Sequence, residues 1–397
     1  MKSISTIYTF LLPIMILPVL LYHQYHHRII AQTSRILFRL LCIGFINLGF
    51  TNNVSIAQTL PQPTSISQHR TFQGTIHTYP ITMQLVITNN EITGYYYYDR
   101  VGDPLNLQGS LRNDGTIHLE VTSPDDYEKT IESFVGRFSA ANTIAGTWVM
   151  LKNNKKLSFL VNESAQSSAS ISVKNYEFER CFEREEETNQ NVCVNVTMSL
   201  PEARSQNALF NRNLEKVVNG LLCATSGLQR QECINKSVSD VSESWAGDQL
   251  GYTITYNPVV NQAGIFSAIV DKTVEWYSPR PNSESEIRFL NYSVKTGTLI
   301  TSRDLFLPGA MPFIENLIKR KINTYLKQYE GEEDPAETTY GDLDKLNFDT
   351  SFSISPKALI YHYPYYHRFG NGHAEITLPY DEIKRWINLN GPLGFVK

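Results

Sequence analysis

Charge of one sign forms no strong block along this chain. Its 35 Lys and Arg against 39 Asp and Glu leave a formal net charge of −4. No basic stripe interleaves with aromatics, which excludes the electrostatic footprint of a nucleic-acid-binding surface. Long hydrophobic runs are equally scarce. The two apolar segments near the N-terminus, residues 7–22 and 36–50, both fall short of the roughly 20 residues that span a bilayer comfortably. The sequence also lacks nucleophile elbows, Walker loops, zinc-protease helices and an Asp-Asp deacetylase signature. With no reacting group legible, neither an enzyme nor a cofactor is expected. The acids Glu332, Glu333, Asp334, Asp342, Asp344 and Asp349 hold no Gly and bidentate Glu in EF-hand register, so a solvated loop is expected there and not calcium.

Cysteine is sparse, at five residues, and its placement is informative. Cys42 lies in an apolar leader, residues 1–57. There Arg28, Arg35 and Arg39 precede the second hydrophobic run, and Ser55 and Ala57 occupy the small-residue places of a signal-peptidase site. A secretory signal cleaved near Ala57 and a periplasmic or secreted protein are expected; a retained membrane anchor is the alternative. The remaining Cys181, Cys193, Cys223 and Cys233 form an even set, which in an exported chain implies two disulfides with three connectivities open. Local pairing, Cys181 with Cys193 and Cys223 with Cys233, needs only short loop closures, each worth roughly 3 kcal/mol in the chain-entropy picture. A four-cysteine zinc site is the rival reading, weakened because neither pair has the close ligand spacing of structural zinc sites.

A chain of 397 residues suits two domains. Residues 58–70 read as a polar, proline-containing linker. Eight short alternating segments follow, at 71–77, 81–88, 91–98, 104–111, 116–122, 131–138, 143–150 and 156–161, separated by Asn, Asp and Gly turns. They predict an antiparallel barrel or sandwich over residues 71–163. Gly94 and Gly146, each placed before aromatics, read as bends at barrel corners. Residues 164–170, small and polar, mark the domain boundary. Beyond them strands are expected at 171–182, 192–198, 251–256, 264–277 and 286–294. Helices are expected at 205–224, 232–250 and 311–329, where apolar residues recur at three and four. The closing stretch reads as a strand at 358–363, a turn region at 364–372, a strand at 374–378 and a short helix opened by Asp381 and Glu382. Together these predict an α+β mixed-sheet domain over residues 171–397.

Particular residues in that second half resemble a known family. Asn291-Tyr292-Ser293-Val294-Lys295-Thr296-Gly297-Thr298-Leu299-Ile300, then Asp304-Leu305-Phe306, then Leu378-Pro379-Tyr380-Asp381-Glu382-Ile383 resemble the extracytoplasmic domains of RsiV-like and PdaC-like proteins. Where that family often carries Gly-Gly-Ala-His, this chain has Ser278-Pro279-Arg280-Pro281-Asn282-Ser283. The resemblance implies the α+β fold and a non-enzymatic envelope binding role, with lysozyme or peptidoglycan as partner. A structural or accessory module, or an unrecognised periplasmic hydrolase, are the alternatives.

Two clusters remain as candidate sites. Tyr95, Tyr96, Tyr97 and Tyr98 are consecutive, so strand alternation sends two to each face. One pair is expected in the core; the other, with Trp148, is a candidate ligand surface for sugar or peptide. His362, His367 and His373 lie close enough to suggest metal ligands, but read as polar residues of a loop between two strands, and no metal is expected.

Overall fold

The alternating runs build a closed barrel. In the computed structural model, which describes residues 62–139, 142–164, 169–182, 192–223, 228–244, 249–276, 282–329, 338–340, 347–367 and 370–396, eight antiparallel strands follow one another. They are β1 (Ser65–Ile76), β2 (Tyr79–Thr88), β3 (Glu91–Tyr98), β4 (Leu105–Leu111), β5 (Thr116–Ser123), β6 (Asp126–Phe138), β7 (Thr143–Met150) and β8 (Lys155–Glu163). Asn89 takes φ 55° in the two-residue turn between β2 and β3, where Asn tolerates the left-handed backbone of a tight hairpin. β8 returns to β1, pairing Phe72 with Glu163 through Ile76 with Phe159, and this closure removes the free edges. The inward positions carry Phe72, Met83, Tyr96, Phe134, Trp148 and Phe159. Phe134 meets both Tyr96 and Phe159 edge-to-face at 5.1 Å, the arrangement that ring quadrupoles favour.

β1 belongs to two layers at once. Its second half closes the barrel, while its first half pairs Ser65–His69 with β9 (Ile171–Phe182). Residues 65–70, read from sequence as linker, are therefore strand. The physical reason is that their buried face is polar: Ser67 and His69 are 4% and 2% exposed, so alternation of hydrophobicity could not reveal them. From β9 the sheet continues through β10 (Val192–Ala203), β11 (Gln249–Gln262), β12 (Ile265–Trp276) and β13 (Asn282–Ser293), giving a 13-stranded path from β13 to β8.

β10 and β11 run parallel, which demands a crossover. Helices α1 (Ala208–Leu222) and α2 (Arg230–Ser244) supply it. Asn207 caps α1, its side chain accepting from the Leu209 and Phe210 amides at 2.9 and 3.1 Å. Phe210, Leu214, Val218 and Leu221 are buried on one face of the helix, in a core shared with sheet residues such as Val194, Val196 and Met198. Both cysteine pairs are bonded locally. Cys181–Cys193 links directly opposed residues of β9 and β10, and Cys223–Cys233 ties the end of α1 to α2.

The C-terminal part is a small sheet with helices. α3 (Ser302–Leu305) and α4 (Met311–Tyr329) precede β14 (Thr338–Tyr340), β15 (Phe352–Ile354), β16 (Ala358–His367) and β17 (Gly370–Pro379); α5 (Tyr380–Ile383) and one 3-10 turn (Lys384–Trp386) follow. The expected turn region at 364–372 is mostly strand, because β16 and β17 continue pairing to His367–Gly370. Pro364 is tolerated there: on the other side of β16, β15 pairs with residues 359–361 and β14 with 365–367, so position 364 falls between the two partners. α4 buries Ile314, Leu317, Ile318 and Ile322 in the core that also holds Tyr361, Ile376 and Leu378. A polar clasp fixes this sheet to the large one. Asn291 donates to the Phe352 carbonyl at 2.6 Å, and the Ile354 amide donates to Ser267 Oγ at 2.9 Å. The leader of residues 1–57, most of the 164–170 boundary and the acids from Glu332 to Asp344 lie outside the described residues.

Candidate functional site

The four tyrosines of β3 divide as strand alternation requires. Tyr96 and Tyr98 point into the barrel, where Tyr96 Oη donates to Glu132 Oε2 and Trp148 Nε1 donates to the same oxygen at 2.8 Å. Tyr96 is fully buried, Trp148 is 2% exposed and Glu132 is 8% exposed. Burial, then the neighbouring Glu132 carboxylate, raises the Tyr96 pKa strongly, so the phenol stays a hydrogen-bond donor. Tyr95 and Tyr97 point outward, into the seam between the barrel and β11. Their rings lie nearly parallel with centroids 6.4 Å apart. The five residues expected as a ligand surface thus occupy two separate places, one inside the barrel and one in this seam.

A bulge in β11 builds the seam. The ladder with β12 slips between Pro258 and Val260, leaving Val259 out of the register, and its freed carbonyl accepts from Tyr95 Oη. Tyr97 Oη donates to Gln262 Oε1 at 2.6 Å, and Thr71 Oγ1 donates to the Asn261 carbonyl at 2.9 Å. His69 shares hydrogen bonds with Tyr256 Oη at 3.2 Å and Gln84 Oε1 at 3.1 Å. Burial lowers the His69 pKa to about 4, against the Gln84 hydrogen bond, which raises it.

That depression makes the seam acid-labile. An unfolded histidine titrates near 6.5, so between there and about 4 the unfolded chain binds the extra proton. The His69 contribution to stability is complete above pH ~6.5 and is lost as pH falls through that window. The shift corresponds to about 3 kcal/mol. Urea denaturation at pH 7 and pH 4.5 should show this loss, and His69→Gln should remove most of the histidine's share. An unchanged pH dependence in the variant would refute the assignment.

Beside the seam opens a cleft of ≈ 500 Å³. Thr82, Tyr97, Asp99, Arg100, Val101 and Gly102 form its barrel wall. Facing them are Gln262 at the end of β11, Ala263 from the β11–β12 turn, Lys357 from the β15–β16 turn, Tyr380 and Asp381 of α5, and Phe395. Lys357 forms an ion pair with Asp103 across the mouth. The two walls approach closely at Gly102, where a Cβ would lie 3.1 Å from Lys357 Cβ. Tyr380 Oη donates to the Ser355 carbonyl at 2.7 Å, and burial, then the nearby Tyr97, raises its pKa. Asp99 keeps a solvent-exposed edge, yet the wall desolvates its carboxyl enough to raise its pKa; the Thr82 hydroxyl donating at 2.8 Å opposes this. The arrangement can bind and orient a polar ligand between walls of mixed charge beside the partly exposed Phe395.

The histidines do not gather in an exposed loop. His362 is 2% exposed in β16, hydrogen-bonded to Ser353 Oγ at 3.1 Å and stacked on Phe289 at 4.4 Å. His367 ends β16 and His373 lies within β17, opposite Pro364, and their side chains lie outside the described residues. Among the described residues, the one grouping with metal-ligand spacing is Glu179, Cys181 and Cys193, and its cysteines are bonded to each other. No helix of the described residues is long and apolar enough to cross a membrane.

The fold therefore defines a closed eight-stranded barrel joined to a sheet-and-helix region, with a cleft where they meet. Within that region, residues 303–381 match a family described as Protein of unknown function (DUF3298), so the C-terminal part carries a DUF3298 domain. Two solved structures are similar. One is a DUF3298 family member from Bacteroides fragilis NCTC 9343, 12% identical, covering 58% of this chain and 99% of its own, with TM-score 0.44. The other is a DUF3298 family protein from Pseudomonas aeruginosa PAO1, 12% identical, covering 55% of this chain and 94% of its own, with TM-score 0.37. Comparison with curated proteins gives no match.

Proposed function

We propose that this is an exported, non-enzymatic binding protein of the cell envelope that holds a cell-wall component in the cleft between barrel and C-terminal sheet. The cleft itself carries the reading. Its volume of ≈ 500 Å³ falls in the range of small-molecule sites, and its walls combine Phe395 with side chains that hydrogen-bond and carry charge. Export is supported by two local disulfides, which persist in oxidising compartments, and by the signal-like leader. The resemblance of residues 171–397 to RsiV-like and PdaC-like extracytoplasmic domains favours a binding role over catalysis.

Soluble peptidoglycan fragments titrated into the protein, with lysozyme in a parallel series, test the reading. Val101 is 54% exposed on the cleft wall, so Val101→Trp should narrow the cleft without disturbing a core. Binding of a fragment to the native chain, weakened roughly tenfold in the variant, is the expected result. Failure of every fragment to bind, or binding indifferent to Val101→Trp, would remove the proposal. Lysozyme binding that survives the substitution would relocate the partner to another face and count against the cleft.

A further inference from the structure

Charges in the cleft are unevenly satisfied. Lys357 is taken by Asp103, whereas among the described residues no cation lies within ion-pair distance of Asp99 or Asp381. Thr82 Oγ1 donates to Asp99 Oδ1 at 2.8 Å, which fixes the carboxylate on the wall and leaves its second oxygen for another donor. The nearby tyrosines have spent their hydroxyls, Tyr97 on Gln262 and Tyr380 on the Ser355 carbonyl. Both rings are buried, at 2% and 5% exposure, so the aromatic surface that the cleft can offer is the partly exposed Phe395, which meets Tyr380 edge-to-face with centroids 6.1 Å apart. A carboxylate beside an aromatic ring is the chemistry that attracts an ammonium group, through ion pairing and the ring quadrupole together.

Resting on the reading of the cleft as a binding site, we infer that it selects a ligand bearing a primary ammonium, seated on Asp99 with Phe395 as the aromatic neighbour in the same cleft. A cation beside Asp99 would offset the desolvation that raises its pKa. Arg100, exposed on the same wall, is placed to meet an anionic group on the rest of the ligand. Amino sugars, free amino acids and short diamines share the required group; neutral sugars and acetylated amines do not.

Glucosamine, N-acetylglucosamine and cadaverine are the probes, titrated into the full chain near neutral pH and followed by calorimetry. Glucosamine and cadaverine should bind, acetylation should weaken binding roughly tenfold or more, and Asp99→Asn should abolish the preference. Because Asp99 has an exposed edge at the end of β3, the variant should keep its circular dichroism, and Asp99→Glu should retain part of the affinity. Equal binding of the two sugars, or amine binding unaffected by Asp99→Asn, would overturn the inference. So would failure of all three probes. In that case a peptidoglycan fragment that still binds in a Val101-dependent way leaves the cleft reading standing, and loss of both shows that the cleft is not a site.

Discussion

Gly146→Ala is expected to destabilise the protein by about 4 kcal/mol or more, placing it among the most damaging single substitutions. A Cβ at this position would lie 2.1 Å from the Val135 carbonyl oxygen, 2.5 Å from Gly136 Cα and 2.9 Å from the Val135 carbonyl carbon. All three neighbours are backbone, so no flexible side chain can move aside, and β6 and β7 must separate instead. Gly146 pairs directly with Gly136, and the absence of both side chains lets the strands approach closely where the barrel bends. Forcing them apart breaks ladder hydrogen bonds and opens the packing around Phe159, whose ring would meet a Cβ on Gly136 at 2.9 Å. Thr147→Ala, one residue along on the exposed face, should stay within about 0.5 kcal/mol. Urea unfolding monitored by tryptophan fluorescence separates the two; similar midpoints would mean that the barrel accommodates the methyl and that the close approach is not needed.

That glycine also shows what the chain discloses locally. Gly94 and Gly146 stand before aromatics in alternating strands, and both proved to be points where backbone approaches backbone; Gly94 adds a φ of 148°. All eight barrel strands follow from period-2 alternation, because a barrel has one apolar face and one solvated face along nearly every strand. The method fails where the outward face is covered by polar groups. Ser67, His69, Thr71, Thr82 and Gln84 are buried, yet each is a residue type that sequence reading assigns to solvent. The β11 partners of His69 and Thr71, the Tyr256 hydroxyl and the Asn261 carbonyl, lie far along the chain, and the bulge that frees the Val259 carbonyl for Tyr95 leaves no mark in hydrophobicity.

The cleft was hidden for the same reason. Asp99, Gln262, Lys357, Tyr380 and Phe395 come from separate turns and element ends, and no periodicity links them. Of the cleft residues the sequence singles out Tyr97, within the tyrosine run of β3, and Tyr380 and Asp381, at the opening of a helix; that these come together in one wall system depends on how β17 lies beside the barrel. Both cysteine pairs, in contrast, were legible, because each bridges a single hairpin or helical turn, a contact set by local geometry.

Glu132 presents the second large effect. A carboxylate 8% exposed inside a barrel is held there by two donors, Tyr96 Oη and Trp148 Nε1, converging on one oxygen. Glu132→Leu removes the acceptor but leaves both donors in an apolar interior. Each stranded donor costs about 1–3 kcal/mol, so a loss of about 3–5 kcal/mol is expected from the pair. The cost lies in the orphaned partners and not in the missing charge, and this has a consequence for double substitutions. Tyr96→Phe should destabilise the native protein, yet in the Glu132→Leu background it should cost little or recover stability, because the phenol it deletes is already unsatisfied. Glu132→Gln keeps an acceptor of similar reach and should lose less than Glu132→Leu. Unfolding curves of the native protein, the two single variants Glu132→Leu and Tyr96→Phe and their double variant, read by circular dichroism, give the coupling energy directly. Additive losses would show that Glu132 and Tyr96 act independently, and that the carboxylate is held in the barrel by something other than these two donors.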